Sequence, residues 1–343
     1  MIKVFIIDDS SLARNKIKQV LKSCKSIEII GEAMNPVDAF IEFKKVGLPD
    51  LFILDLEMPK MDGLTFLKKI QTQKPIPTII YSSYVENGSK NAIESLRLGA
   101  CDIILKPKNN VDMEEFSDNL IEKIKIAVES KVITSPQRNL KLNKKDIVIS
   151  STNCSKVIAI GSSTGGVQTL EQIFTKLDID HPPIVVVQHM PAGFTKSFAN
   201  SLNNLCENSI VQEAKDGDIL KNSHIFIAPG DIHIEIARKN FINYQIISKD
   251  YPKVSGHKPS VDVLFTSVSK VVKNDAIGFL LTGMGRDGAV GLKKIKEAKG
   301  VTYGQNEDTC IVYGMPKVAF EIGATSKQVG IEDIVKIINT INT

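Results

Sequence analysis

Short unbroken apolar runs recur through the first third of the chain, separated by stretches in which apolar positions return every three or four residues. KVFII (3–7), IEIIG (27–31), LFILD (51–55), TIIYS (78–82) and DIIL (102–105) predict strands, and 10–22, 36–46, 63–71, 88–98 and 112–129 predict the helices between them. Strand and helix in regular alternation specify a parallel sheet covered on both faces. The periodicity then fades. Residues 125–153, rich in Ser, Thr, Asn and Lys and containing Pro136, read as a linker with one short extended piece at DIVIS (146–150). A second α/β series begins at KVIAIG (156–161), with a helix over 165–177 and a buried strand at IVVVQ (184–188). Extended segments IFIAP (225–229) and IHIEI (232–236) follow, then a helix over 260–272 and a strand at AIGFLLT (276–282). The pattern divides the chain into a domain at 1–124, a linker at 125–153 and a doubly wound, mostly parallel α/β domain at 154–343.

Length supports that division, because 343 residues exceed what one hydrophobic core usually serves. Hydrophobic residues at 43% and charged residues at 24% describe a globular chain. No apolar run is long enough to cross a bilayer, and MIKVFIIDDS lacks the features of a secretion signal. Cys24, Cys101, Cys154, Cys206 and Cys310 are odd in number, scattered and without a C-x-x-C pair, which argues against disulfides and structural zinc. A cytoplasmic protein is expected. The net charge is only +4, and the basic stretch 141–145 has no interleaved aromatics, so neither a nucleic-acid partner nor membrane insertion is expected.

Candidate chemistry lies where the apolar runs stop. Ligands of open parallel sheets bind outside the carboxyl ends of the strands, and in the first domain those ends carry Asp8 and Asp9, Asp55, Ser82 and Lys106-Pro107. Clustered carboxylates repel unless a cation joins them, and an oxygen-only set points to Mg²⁺. Asp55, alone at the end of its central strand, is the candidate nucleophile toward a phosphoryl donor. Lys106 would neutralise a phosphoryl oxygen and Ser82 would donate to another. Taken singly, Asp8 also reads as a helix cap, Ser82 as a turn hydroxyl and Lys106 as a surface charge. Together, IIDDS, ILDLEMPKMDG, the serine after TIIY, and LKP resemble the receiver domain of two-component response regulators over residues 1–124. That resemblance implies a flavodoxin-like fold, a histidine kinase as phosphodonor to Asp55, and Ser82 and Lys106 as the switch. It also implies Mg²⁺ held by Asp9, Asp55 and the Glu57 backbone with Asp8 assisting, and a cis peptide before Pro107.

In the second domain, GSSTGG (161–166) contains G-x-S-x-G centred on Ser163, a pattern that lets a serine stand on a sharp strand-to-helix turn. A phosphate-binding loop uses the same helix terminus, although neither G-x-G-x-x-G nor a P-loop lysine is present. His189 ends IVVVQ; it reads as a structural imidazole or, beside a strand-end serine, as a general base. Asp287 in GMGRDG (283–288) reads as an acid orienting the imidazole or as the cap of the helix starting at AVGLKKI. The order Ser, His, Asp differs from that of α/β-hydrolases. With HKPSVDVLF (257–265), IAPGDIH (227–233) and GQNEDTCIVYGMP (304–316), these segments resemble the catalytic domain of the chemotaxis protein-glutamate methylesterases.

This second resemblance implies Ser163 as nucleophile, His189 as base, Asp287 as orienting acid, and no cofactor in the esterase site. Candidate oxyanion donors are the backbone N–H groups of Thr164 and Met284. It further implies glutamyl methyl esters of chemoreceptor cytoplasmic domains as substrate, deamidation of receptor glutamines, and control by a receiver that occludes the cleft until Asp55 is phosphorylated. Three other classes are weighed against it. A DNA-binding regulator needs a basic helix-turn-helix region, a nucleotide-binding domain would use GSSTGG for phosphates, and a thiol enzyme would use Cys310 with a histidine.

Overall fold

A computed structural model of the chain describes residues 1–83, 86–107, 113–130 and 156–341. Two compact units divide the chain between residues 137 and 138. In the first, β1 (Ile2–Ile7), α1 (Ser11–Lys22), β2 (Ile27–Ala33), α2 (Pro36–Val46) and β3 (Leu51–Leu54) alternate strictly. They are followed by α3 (Gly63–Gln73), β4 (Thr78–Ser82), α4 (Glu86–Arg97), β5 (Asp102–Leu105) and α5 (Met113–Glu129). The strands form one parallel sheet in the order β2-β1-β3-β4-β5, the flavodoxin-like arrangement expected. Helices α1, α2 and α3 start where a polar side chain can take an otherwise unpaired N–H. Ser10 accepts from Ala13, Asn35 from Asp38 and Asp62 from Thr65, at 3.3, 3.1 and 2.8 Å. Helix α5 matches the helix predicted over 112–129 and so overlaps the first residues assigned to the linker, with Ile124 and Ala127 buried in the core of this unit. From residue 131 on, the expected linker, with 146–150, lies outside the described residues, as does Cys154.

The second unit begins with β6 (Val157–Ser162), α6 (Gly166–Phe174), β7 (Ile184–Gln188), α7 (Phe194–Leu205), β8 (Ile210–Glu213) and β9 (His224–Ile227). A hairpin, β10 (His233–Arg238) and β11 (Tyr244–Lys249), comes next, then α8 (Val261–Val271), β12 (Ala276–Leu280) and α9 (Ala289–Glu297). The unit closes with β13 (Val301–Gln305), α10 (Met315–Glu321), β14 (Lys327–Val329) and α11 (Ile331–Thr340). Among the described residues, a seven-stranded, wholly parallel sheet takes the order β14-β13-β12-β6-β7-β9-β8. The β10–β11 pair is antiparallel and separate, so the segments flanking Pro229 part company: one joins the sheet and the other leaves it. Strand β6 is central, with β7 on one side and β12 on the other. The chain therefore reverses its direction of growth beside β6, the kind of switch point at which parallel sheets open a crevice. The carboxyl ends of β12, β6 and β7 line that crevice. Val157, Ala159, Val185, Val187 and Leu280 are buried beneath it with α8 residues Val261, Leu264, Phe265 and Val268.

Not every buried histidine of this unit belongs to the crevice. His181, before β7, has Nδ1 2.8 Å from the Pro182 carbonyl and Nε2 2.8 Å from Ser209 Oγ. A carbonyl only accepts, so Nδ1 carries the proton and Nε2 accepts from the serine. Burial pushes this imidazole down from 6.5 to about 4. The unfolded chain binds the proton first, so the stabilisation is complete above about pH 6.5 and is lost as pH falls toward the folded value, by about 3 kcal/mol. Burial shifts His224 in the same direction. Urea midpoints of the full chain should fall between neutral pH and about pH 4.5, and the His181 ring resonances should stay those of the neutral form down to about pH 5. Titration of His181 near its unfolded value would contradict this.

Candidate functional sites

Asp8, Asp9 and Asp55 converge at the carboxyl edge of the first sheet, their nearest carboxylate oxygens all within 4.8 Å of one another. Asp8 and Asp55 are buried. Lys106 Nζ lies between them, 2.7 Å from Asp8 Oδ2 and 2.7 Å from Asp55 Oδ2. Asp55 Oδ1 accepts from the backbone N–H groups of Leu56 and Glu57 at 2.7 and 3.4 Å. Ser82, the last residue of β4, is buried beside Lys106, whose N–H donates to the Ser82 carbonyl at 2.9 Å. Burial pushes the Asp8 carboxyl above its ordinary range and the facing Asp55 adds to this, with Lys106 opposing both. Burial also works against charge on Lys106, but its bonds to Asp55 and Asp8 outweigh that and hold the ammonium up. One ammonium against three carboxylates leaves an excess of negative charge on oxygen donors alone, which fits a hard divalent cation such as Mg²⁺. Glu57 contributes its N–H to the pocket. The cis bond expected before Pro107 is not found: the cis peptide among the described residues precedes Pro259, and an X–Pro bond can take either isomer at little cost.

The second site is built on three adjacent strand ends. Ser162 closes β6 in register with Gln188 of β7, and the His189 N–H donates to the Ser162 carbonyl at 3.0 Å. Ser163 and His189 are thus the first residues beyond the last paired position of neighbouring strands. At Ser163 the chain turns sharply into α6. Gly165 there has φ +80°, a left-handed conformation that suits glycine, and a Cβ at Gly166 would stand 1.9 Å from Gln188 Oε1. The two serines of this turn differ in environment. Ser162 is fully buried with Oγ donating to Gln188 Oε1 at 2.6 Å, whereas Ser163 is half-buried.

From the other flank of β6, the loop after β12 brings in Asp287. Its Oδ2 lies 2.8 Å from His189 Nε2. A carboxylate only accepts, so Nε2 carries the proton and Nδ1 is left with a lone pair. Nδ1 is buried and has no hydrogen-bond partner, so the Ser163 hydroxyl is not bonded to it in this structure. Of the expected chain from hydroxyl to imidazole to carboxylate, the second link is formed and the first is an adjacency. Asp287 is also a helix cap, though not of the helix the sequence suggested. Helix α9 starts at Gly288 with no side-chain cap, while Asp287 accepts from Val261 N–H at 2.7 Å and Asp262 N–H at 3.0 Å at the start of α8. Ser260 Oγ donates to it at 2.7 Å. Burial disfavours charge on Asp287, but the bonds from His189, Ser260 and Asp262 outweigh it and hold the carboxyl below its usual range.

Several neighbours escaped sequence reasoning. His257 stacks on His189 with centroids 3.7 Å apart and planes at 11°. Thr282 Oγ1 has one proton to share between the carbonyls of Thr164 and Val312, at 3.0 and 3.2 Å, and Gln305 Oε1 accepts from Thr282 N–H at 2.7 Å. These bonds tie the ends of β6, β12 and β13 together beside Thr164, which is buried, and Met284, which is half-buried. The only signal was position: Gln188, Thr282 and Gln305 all stand at strand ends, like the residues that were found.

Comparison with known proteins finds relatives of both units. The family model described as CheB methylesterase matches residues 158–338, and that of the response regulator receiver domain matches residues 4–117. A protein-glutamate methylesterase/protein-glutamine glutaminase of Sulfurimonas denitrificans is 43% identical over 94% of this chain and 93% of its own length. One from Leptospira interrogans is 45% identical over 98% of each chain. The crystal structure of the Thermotoga maritima CheB methylesterase catalytic domain is 37% identical, with a TM-score of 0.53, covering 55% of this chain and 98% of that one.

The balance of charge around Lys106 can be tested directly. Lys106→Met leaves Asp8 and Asp55 facing each other without their ammonium, a loss that should cost roughly 2–4 kcal/mol. The melting transition of the variant should drop in chelator and recover in millimolar MgCl₂, more than that of the unaltered protein. Equal responses of the two proteins to Mg²⁺ would show that Lys106 and a cation do not share the pocket.

Proposed function

The chain belongs to the CheB methylesterase family, with a response-regulator receiver domain in front of the catalytic domain, and from that premise we propose that it removes methyl groups from glutamyl esters of chemoreceptors, and amide nitrogen from specific receptor glutamines, under control of phosphorylation at Asp55. It is a serine hydrolase. The observation that carries the assignment of residues is the 2.8 Å bond from His189 Nε2 to Asp287, on strand ends that flank the Ser163 turn, with Nδ1 left unpartnered.

His189 Nδ1 takes the Ser163 proton as Oγ attacks the ester carbonyl, and Asp287 balances the imidazolium charge. The oxyanion that develops is met by the N–H groups of Thr164 and Met284. Collapse breaks the bond to the methoxy oxygen, which takes the proton from His189 and departs as methanol, leaving Ser163 acylated. Water, deprotonated by His189, attacks the acyl carbon. The bond to Ser163 Oγ breaks, yielding a glutamate carboxylate and the free hydroxyl. A glutamine side chain follows the same course with ammonia as the leaving group. Ser162 does not meet the substrate, since its hydroxyl is buried and committed to Gln188.

In the receiver, Asp55 accepts a phosphoryl group from a histidine kinase. Asp8, Asp9, Asp55 and the Glu57 carbonyl are the ligands we assign to Mg²⁺, which when bound offsets the charge of carboxylates and phosphoryl oxygens brought together. Lys106, now bonded to Asp8 and Asp55, pairs with a phosphoryl oxygen, and the Ser82 hydroxyl donates to another. The absence of a helix long and apolar enough to cross a membrane among the described residues is compatible with action on receptor domains outside the bilayer.

Methanol release from methylated receptor membranes tests both halves. Ser163→Ala should lower the rate by about 10³-fold or more, and undiminished release would end the assignment. Asp55→Asn should keep basal release and lose its stimulation by a small phosphodonor. Stimulation equal to that of the unaltered protein would remove Asp55 from the switch.

A further inference from the structure

Hydrogen bonding between the backbones of β6 and β7 ends with the bond from His189 N–H to the Ser162 carbonyl, one residue short of Ser163. Beyond that point the bridge between the two strands is a side chain. Gln188, the last residue of β7 and 3% exposed, donates from Nε2 to the carbonyl of Ser163 at 2.9 Å and to the carbonyl of His189 at 3.1 Å. Its Oε1 accepts from Ser162 Oγ at 2.6 Å. Two carbonyls can only accept, so they decide which end of the amide carries nitrogen, and the buried hydroxyl must then donate. The planar NH₂ group has two N–H bonds in fixed directions, and both are used. One nitrogen therefore sets the spacing between the peptide of the nucleophile and the peptide of the base. Close packing holds it there, since a Cβ at Gly166 would collide with Oε1 at 1.9 Å.

We propose that Gln188 is a positioning residue for hydrolysis, fixing the Ser163 turn against the His189 backbone so that the hydroxyl reaches Nδ1 when substrate binds. The inference rests on the assignment of Ser163 and His189 given above. A positioning residue acts on the approach of reacting groups rather than on substrate affinity, and a displacement of about 1 Å can cost about 10² in rate. Gln188→Met keeps length and burial while removing both donors; kcat for methanol release by the full chain should fall about 10²-fold, with KM within about twofold. In Gln188→Glu the carboxyl faces two carbonyls. Lowering the pH protonates it and restores one O–H donor, so its activity relative to the unaltered protein should rise as pH falls, whereas the relative activity of Gln188→Met should stay flat. Ser162→Ala loosens the same amide from its other end and should lower kcat about fivefold without changing KM, the size expected for one lost hydrogen bond.

A packing role alone would move the melting temperature but produce neither the pH-dependent recovery nor the separation of kcat from KM. If Gln188→Met folds and turns over within twofold of the unaltered protein, the proposal is overturned. If Gln188→Met does not fold, a flat pH ratio for Gln188→Glu together with unchanged kcat in Ser162→Ala overturns it. Ser163→Ala run in parallel separates the two levels. Full activity there removes the nucleophile assignment itself, while an inert Ser163→Ala beside fully active Gln188 variants removes only the positioning role.

Discussion

The catalytic half of this protein depends on a carboxylate that has no solvent to fall back on. Asp287 is 1% exposed, and its two oxygens receive four donors: His189 Nε2 and Val261 N–H on Oδ2, Ser260 Oγ and Asp262 N–H on Oδ1. Burying a carboxylate is tolerable only when its lone pairs are filled in this way. Two of the donors are the first free N–H groups of α8, where the helix dipole also favours negative charge. The interaction that keeps Asp287 ionised therefore ties the loop after β12 to the start of α8. His189 enters this arrangement from β7 as the one titratable donor. Its ring plane and tautomer follow from a contact whose other three partners are fixed by the fold.

The two units place their chemistry at the same kind of location and balance charge in opposite ways. In the first, one ammonium pairs with two of three clustered carboxylates, leaving net negative charge at an edge where Asp9 is exposed. Such a pocket is incomplete by itself and responds to whatever cation or phosphoryl group arrives. In the second, the buried Asp287 carboxylate is met by four hydrogen-bond donors that the protein itself supplies. A pocket awaiting an ionic ligand suits a switch, and a pocket whose donors are already arranged suits repeated turnover.

The strand ends were legible because buried parallel strands are written as unbroken apolar runs, and the residue that stops the run is visible at once. Asp8, Asp55, Ser82, Lys106, Ser163 and His189 all stop such a run or stand next to the residue that does. Strands β8 and β14, with sequences IVQE and KQV at the two edges of the second sheet, carry too few apolar residues to announce themselves. The β10–β11 hairpin was half seen, since β10 alternates clearly while its partner is polar along one face. What spacing could not supply was the identity of partners distant in sequence. Asp287 was recognised as an acid beside a helix, yet the helix it caps lies 26 residues earlier at Val261, not immediately after it. Ser260, Asp262, His257 and Gln188 reach the site through contacts that leave no periodic trace.

Neighbouring serines show why position outranks chemical type in this site. Ser162 and Ser163 have the same hydroxyl and follow the same strand, but successive residues of an extended chain point to opposite sides. Ser162 still pairs with Gln188, and its side chain is directed into packed protein, where its proton is taken by Oε1. Ser163 begins the turn, and its backbone is held from both neighbouring strands: its N–H donates to the Thr282 carbonyl at 3.0 Å and its carbonyl accepts from Gln188 at 2.9 Å. A residue gripped by its main chain on both flanks has its side chain as the one free part. The strand that buries the first serine is thus what presents the second, and an exchange of roles between them would require the β6–β7 register to slip by one residue. That slip would exchange the two buried faces of β6, setting Val157 and Ala159 where Ile158 and Ile160 now pack, so the close packing of the sheet guards which serine stands at the turn.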